Sequence, residues 1–305
     1  MNAFKLKEEN GGYLVPCGKC LNCRRRRVSS WSVRLVKEGE RSFEAVFLTL
    51  TYNNDNVPIS DMGYLTLKKK DVQDYMKRLR KAHPADHKKL TYYAVGEYGS
   101  KTKRPHYHLI LFNADPTKLH SAWHLKGKPL GDIYIGNVVE ASIGYCLKYI
   151  SKICYIGKDQ KIDDRQPNFS LMSKGIGLNY ISTHSIQCLD QTIFRDKNGN
   201  WSLKDWITKT VHIPNKPINQ WHKAIPEQRV YVPLKDGNKA PLPRYFKKLI
   251  YNESEKERIA FHFQKESQKL LEEEIAEHGD NLQYYKTEQY LHANKKMLLN
   301  KNSKL

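Results

Sequence analysis

Apolar residues recur along the chain in two rhythms. AVFLTLTY (45 to 52) is a continuous β-branched run that stops at the polar NNDNVP, which predicts a buried strand. In LKKKDVQDYMKRLRKA (67 to 82), Val72, Tyr75, Met76 and Leu79 fall at helical spacing and Pro84 lies beyond the end, predicting an amphipathic helix with a basic outer face. LTYYAVGEY (90 to 98) and PHYHLILF (105 to 112) flank the polar GSKTKR, the pattern of a hairpin. PTKLHSAWHL (116 to 125), opened by Pro116, predicts a short helix. DIYIGNVVE (132 to 140) predicts a strand, and SIGYCLKYISKI (142 to 153) a helix capped by Ser142.

The order β, α, β, β, α, β followed by an extra helix predicts an α+β fold of ferredoxin-like arrangement, one antiparallel sheet with two helices on one face. Both alternating sets on the hairpin are largely apolar, so both faces need cover, and the helix from 142 becomes the lid on the second face. Upstream, LNCRRRRVSSWSVRLVKEGE has Val28, Trp31 and Leu35 at helical spacing, a basic amphipathic helix. Residues 160 to 250 are rich in Pro, Gly and aromatic residues and give no element boundaries. From 253 the chain is charged and helical, with Ile259, Phe263, Leu270, Leu271 and Ile275 as a stripe expected to be buried, and a pair of helices divided near Gly279. The expected organisation is a Cys-rich element and basic helix (1–40), a core (41–158), an extension packing on it (159–252) and a charged helical tail (253–305).

Charge changes the picture. Among 305 residues, 52 Lys and Arg face 32 Asp and Glu, a formal charge of +20, so a polyanion, nucleic acid first, is the expected partner. The start carries no cationic, apolar leader, and no apolar run approaches the ~18 residues of a membrane span, so a soluble intracellular protein is expected. Gly18-Lys19 lacks the earlier glycine of a Walker motif and has Cys20 where a hydroxyl is required; any helicase activity is left to another protein. Three of the six cysteines crowd at Cys17, Cys20 and Cys23, a spacing that suits a metal cluster better than a disulfide framework. They supply three thiolates where structural zinc takes four ligands, and small buried thiols at a helix start fit the same pattern. With Arg24, Arg25, Arg26 and Arg27 following, one reading is a zinc-stabilised element that presents arginines to DNA phosphates.

The chemistry is concentrated in two places. On a strand, His106 and His108 stand on one face. If the GSKTKR hairpin is symmetric, Glu97 lies opposite His106 and adds a carboxylate, which leaves room around a divalent cation for water and a phosphate oxygen. In YCLKYISK, Tyr145 and Tyr149 share one helix face, and Lys148 and Lys152 repeat the spacing beside them. A phenol needs a nearby cation to become a nucleophile near neutral pH, and both metal and lysine supply one.

FLTLTY, His106-Tyr107-His108 and Tyr145 to Lys152 together resemble the three motifs of the HUH endonucleases, rolling-circle replication initiators, with a tyrosine where the middle position is usually aliphatic. PCGKCLNCRRRR, GEYG, RPHYHLILF, YCLKYISK, MSKGIGLNYI (172 to 181) and LPRYFKKL (242 to 249), in that order from about 15 to 250, resemble the gokushovirus-type initiators of single-stranded DNA phages. The resemblance implies Mg2+ or Mn2+ on His106 and His108 with Glu97 as third ligand, and Tyr145 and Tyr149 as nucleophiles. It further implies a 5′-phosphotyrosine intermediate, Lys148 and Lys152 near the leaving group, and single-stranded origin DNA as substrate in the host cytoplasm, with host helicase and polymerase as partners. Arg104 joins Arg24 to Arg27 as an expected DNA contact. Two other readings share the pattern: a noncatalytic single-stranded nucleic-acid-binding protein, and an HUH enzyme of a plasmid or transposon.

Overall fold

The computed structural model describes residues 3–5, 14–18, 20–84, 87–151, 156, 161–182, 186–189, 194–195, 201–202, 208–211, 218–234, 237–289 and 291–292. The fold is mixed α+β. A 19-residue helix, α1 (Leu21–Gly39), precedes β1 (Ala45–Leu50), α2 (Lys69–Ala82), the hairpin β2 (Thr91–Tyr98) and β3 (Pro105–Phe112), and the short α3 (Leu119–Ala122). Then come β4 (Ile133–Asn137), α4 (Glu140–Ser151) and β5 (Phe169–Met172). The strands form one five-stranded antiparallel sheet in the order β4-β1-β3-β2-β5.

Alternation along β3 feeds two separate cores. Tyr107, Leu109 and Leu111 point to one face, where they meet Leu48 and Leu50 of β1, Val72, Tyr75 and Met76 of α2, and Leu119 and Trp123 at α3. Ile110 and Phe112 point to the other, joined by Tyr93 and Val95 of β2, Leu35 of α1, and Ile143, Cys146 and Leu147 of α4. Most of these side chains are essentially inaccessible. Full burial is worth about 1.5–3 kcal/mol for each large apolar side chain, so both layers contribute. The expected cover of the second face by the helix after β4 is present, and α1 shares that face, its stripe of Val28, Trp31 and Leu35 turned inward.

A strap after β5 ties α1 down. Ser173 exchanges hydrogen bonds with the Tyr92 backbone, at 2.9 and 3.0 Å. Arg34 lies over the rings of Trp31 (4.0 Å) and Tyr245 (4.2 Å), and its Nε donates to the Ile176 carbonyl at 3.0 Å. The buried Glu38 carboxylate accepts from the Thr91 hydroxyl at 2.7 Å and from the Gly177 N–H at 2.8 Å. Gly177 has φ of +77°, and a Cβ there would stand 2.9 Å from the Arg34 carbonyl oxygen. Only glycine suits both constraints, which gives the MSKGIGLNYI motif a packing role.

The structure departs from the sequence expectations in three places. The helix expected over 116 to 125 is one 3-10 turn (Pro116–Lys118) and one α turn ending at Ala122; a tight hairpin pairing His124–Leu125 with Lys128–Pro129 takes over at Lys126-Gly127, both at positive φ. β5 was not predicted. The long helix Glu253–His278 is present, begins with an Asn252/Glu255 capping box, and ends at Gly279, after which helical residues resume at 282–289. Its expected buried stripe is not buried, however: Ile259 is, whereas Phe263, Leu270, Leu271 and Ile275 are exposed. A 26-residue helix is about 39 Å long, and only its first turns find neighbours to lie against.

The chain divides into two compact units, 1–220 with 231–247, and 221–230 with 248–305. In the second, buried His222 donates to the Arg229 carbonyl at 2.6 Å, and Arg258 pairs with Glu227 at 2.6 Å. Among the described residues no helix is long and apolar enough to cross a membrane.

Candidate active site

The hairpin is symmetric about its loop, and Glu97 pairs with His106 and Val95 with His108. Side chains at i and i+2 share a face, so the carboxylate and both imidazoles emerge together on the side covered by α1 and α4. Glu97 Oε1 lies 2.9 Å from His106 Nε2 and 3.0 Å from His108 Nε2, and one ligand atom from each residue falls within 4.8 Å of the others. Glu97 is only 3 % exposed. A buried carboxylate needs such partners.

The outer nitrogens are also held. His106 Nδ1 donates to the Arg104 carbonyl at 3.2 Å. His108 Nδ1 meets the Thr49 hydroxyl at 2.9 Å across the β1/β3 pairing. Phe47 stacks on the His108 ring, with centroids 5.6 Å apart at 11°. Burial opposes protonation of His106, but its hydrogen bond with Glu97, the Glu97 charge and the Arg104 carbonyl outweigh it, and the pKa rises above the usual histidine value. Nearby, burial and then the Glu97 charge push the Cys146 thiol up to about 12, leaving it a neutral core residue.

α4 brings the tyrosine. Because Ile143, Cys146 and Leu147 face the core, Tyr145 lies at the edge of the helix interface, 40 % exposed. Its hydroxyl donates to Glu97 Oε1 at 3.3 Å, and its ring stands edge-on to His108 with centroids 4.9 Å apart. Lys148 is exposed on the same helix. Tyr149 lies in α4, but its side chain is outside the described residues, as is all of Lys152.

Tyr107, between the histidines, points to the opposite core. Its hydroxyl lies 2.8 Å from the Tyr52 hydroxyl and accepts from the Lys68 N–H at 2.8 Å, while Tyr52 donates to Asp71 at 2.8 Å. A phenol is accommodated where an aliphatic residue is usual because three polar partners were supplied on that side. Arg104 is a brace, its guanidinium donating to the Tyr52 carbonyl at 2.8 Å. Arg25, Arg26 and Arg27 are exposed on the first turns of α1, with Arg24 half-buried. Sequence reasoning missed Thr49, which the motif FLTLTY contained without singling out; its position opposite His108 was the available signal.

Residues 45–154 match the family model for replication-associated proteins of the ORF2 type. The chain is 26 % identical over 260 residues to the replication-associated protein VP4 of Bdellovibrio phage phiMH2K, covering 79 % of this chain and 69 % of that protein. It is 32 % identical over 181 residues to the replication-associated protein ORF2 of Spiroplasma virus 4, covering 54 % and 56 %. With the replication-associated protein ORF4 of Chlamydia phage 1 it shares 29 % identity over 153 residues, covering 49 % and 35 %. The chain thus spans about half, or less, of the latter two. No solved structure matches it.

Proposed function

From this likeness to phage replication-associated proteins, we propose that the protein is a site-specific single-stranded DNA nickase and strand transferase that starts and ends rolling-circle replication. The observation that carries the reading is the meeting of Tyr145 with Glu97, His106 and His108 on one sheet face. The strand order β4-β1-β3-β2 supports the ferredoxin-like HUH arrangement, with β5 an added edge.

The donor set fits a divalent ion. Two imidazole nitrogens and one carboxylate converge, and the nitrogens favour Mn2+ over Mg2+, which prefers all-oxygen sites. His106, His108 and Glu97 would hold the ion, which would polarise a phosphodiester when bound. His106 can do so without disturbing its bond to the Arg104 carbonyl. His108 must carry its proton on Nδ1, and the Thr49 hydroxyl turns from donor to acceptor to meet it.

Tyr145 then supplies the nucleophile. Its oxygen bonds to phosphorus, the bond from phosphorus to the 3′-oxygen breaks, the phenolic proton is lost and the leaving oxygen is protonated to a 3′-OH. Lys148 lies one turn along the exposed edge and offers positive charge to the crowded phosphate. The phosphotyrosyl ester conserves the bond energy, so rejoining needs no nucleotide, and Tyr149 serves the second transfer. Duplex unwinding and synthesis fall to host helicase and polymerase.

The test is incubation with single-stranded origin DNA, with and without Mn2+ or Mg2+, on a denaturing gel. A covalent protein–DNA adduct that requires metal is expected. Adduct formation by the Tyr145→Phe, Tyr149→Phe double variant would refute the nucleophile assignment, and binding without any adduct would leave the noncatalytic reading in its place.

A further inference from the structure

The cysteine cluster before α1 lies outside this chemistry, and its geometry is that of a metal knuckle. Cys17 Sγ and Cys23 Sγ are 3.9 Å apart, and the sulfurs of Cys17, Cys20 and Cys23 all lie within 4.8 Å of one another. A disulfide would bring two of them to about 2.05 Å. Two thiolates bound at about 2.3 Å to tetrahedral zinc stand roughly 3.8 Å apart, which is close to the separation seen.

The backbone is arranged for thiolates as well. Gly18, at φ +71°, turns the chain back so that the Cys20 N–H donates to Cys17 Sγ at 3.2 Å. The Gly18 backbone also hydrogen-bonds Cys23. Cys20 is the N-cap of α1 and Cys23 lies in its first turn, where the positive end of the helix favours sulfur anions. Without a cation, three thiolates this close would repel one another.

We propose that Cys17, Cys20 and Cys23 bind a single structural Zn2+, independently of the reaction assigned to the tyrosine site. Each thiol gives its proton to solvent as its sulfur binds; no oxidation is involved. The fourth position is filled by water or a donor from elsewhere in the chain. The ion fixes the start of α1, so that Arg25, Arg26 and Arg27 are presented from a rigid base while Val28, Trp31 and Leu35 pack over the sheet.

Native mass spectrometry of the full chain, produced with zinc in the medium, should show one bound zinc. Replacing it with Co2+ should give the intense thiolate-to-cobalt charge-transfer band of a sulfur-rich tetrahedral site. The Glu97→Ala, His106→Ala, His108→Ala triple variant should keep both signals, and the Cys17→Ser, Cys20→Ser, Cys23→Ser triple variant should lose them. The cobalt band is read on unsubstituted protein, so misfolding of the cysteine variant cannot mask the answer. Absence of that band, a Cys17–Cys23 disulfide in a peptide map, or zinc that survives the cysteine substitutions would each overturn the proposal.

Discussion

The Tyr145 hydroxyl donates, at 3.3 Å, to the same Glu97 oxygen that the two imidazoles meet at 2.9 and 3.0 Å. Nucleophile and candidate metal ligand therefore share one atom. Tyr145→Phe keeps the ring against His108 and removes only the hydroxyl. Adduct formation through this position should fall by at least about 100-fold, while affinity for the oligonucleotide changes by less than about twofold. Parallel gel and fluorescence-anisotropy measurements on Tyr145→Phe and Tyr149→Phe would separate first-strand from second-strand roles.

Thr49 touches no DNA in this scheme and acts through His108. Thr49→Val replaces the hydroxyl with a methyl that can neither donate to nor accept from Nδ1. Mn2+ affinity, read by titration calorimetry, should drop about 10- to 100-fold. Thr49→Ser should restore most of it. A loss of folding stability without a change in metal affinity would mean that Thr49 is only a packing residue.

Much of this site was legible in the sequence because strands obey a rigid period. The six residues between Tyr98 and Pro105 fixed which positions faced each other, so Glu97 could be placed opposite His106 before any coordinates. The two-faced burial of β3 was legible for the same reason, and the helix after β4 was placed on the correct side. β5 was not, because FSLM is four residues with no alternation and only half-buried, and what makes it a strand is the exposed edge of β2. The stripe of α1 was readable as amphipathic, but nothing local says which surface a stripe will cover. The Tyr107 hydroxyl was the least legible feature, since its partners Tyr52 and Lys68 are distant in sequence.

Glu38 holds the strap to α1 from the buried side. Glu38→Ala strands the Thr91 hydroxyl and the Gly177 N–H without their acceptor. The cost should be about 3 kcal/mol, visible as a lower urea midpoint. Because α1 covers the sheet face that carries the histidines, adduct formation should become more temperature-sensitive as well.

His222 makes the second unit acid-sensitive. Burial, reinforced by the Arg229 charge, pushes its pKa down to about 4 despite the hydrogen bond to the Arg229 carbonyl. The unfolded chain binds a proton there near the usual histidine value, so it takes up protons first as pH falls. Stability should be level above neutral pH, decline from about pH 6.5 and be lower by roughly 3 kcal/mol near pH 4. Denaturant midpoints across that range should show the slope in the parent and lose it in His222→Gln.

β3 is paired along its length with β2 and, from Tyr107 onward, with β1. A ligand pair mounted on such a strand cannot spread or retreat without breaking ladder bonds on both sides. Adjustment is left to α4, which meets the strand through side chains alone. The scaffold thus separates two kinds of selection: ions are sorted by size against a fixed gauge, whereas the timing of attack is open to tuning by substitutions under the helix that carries the phenol.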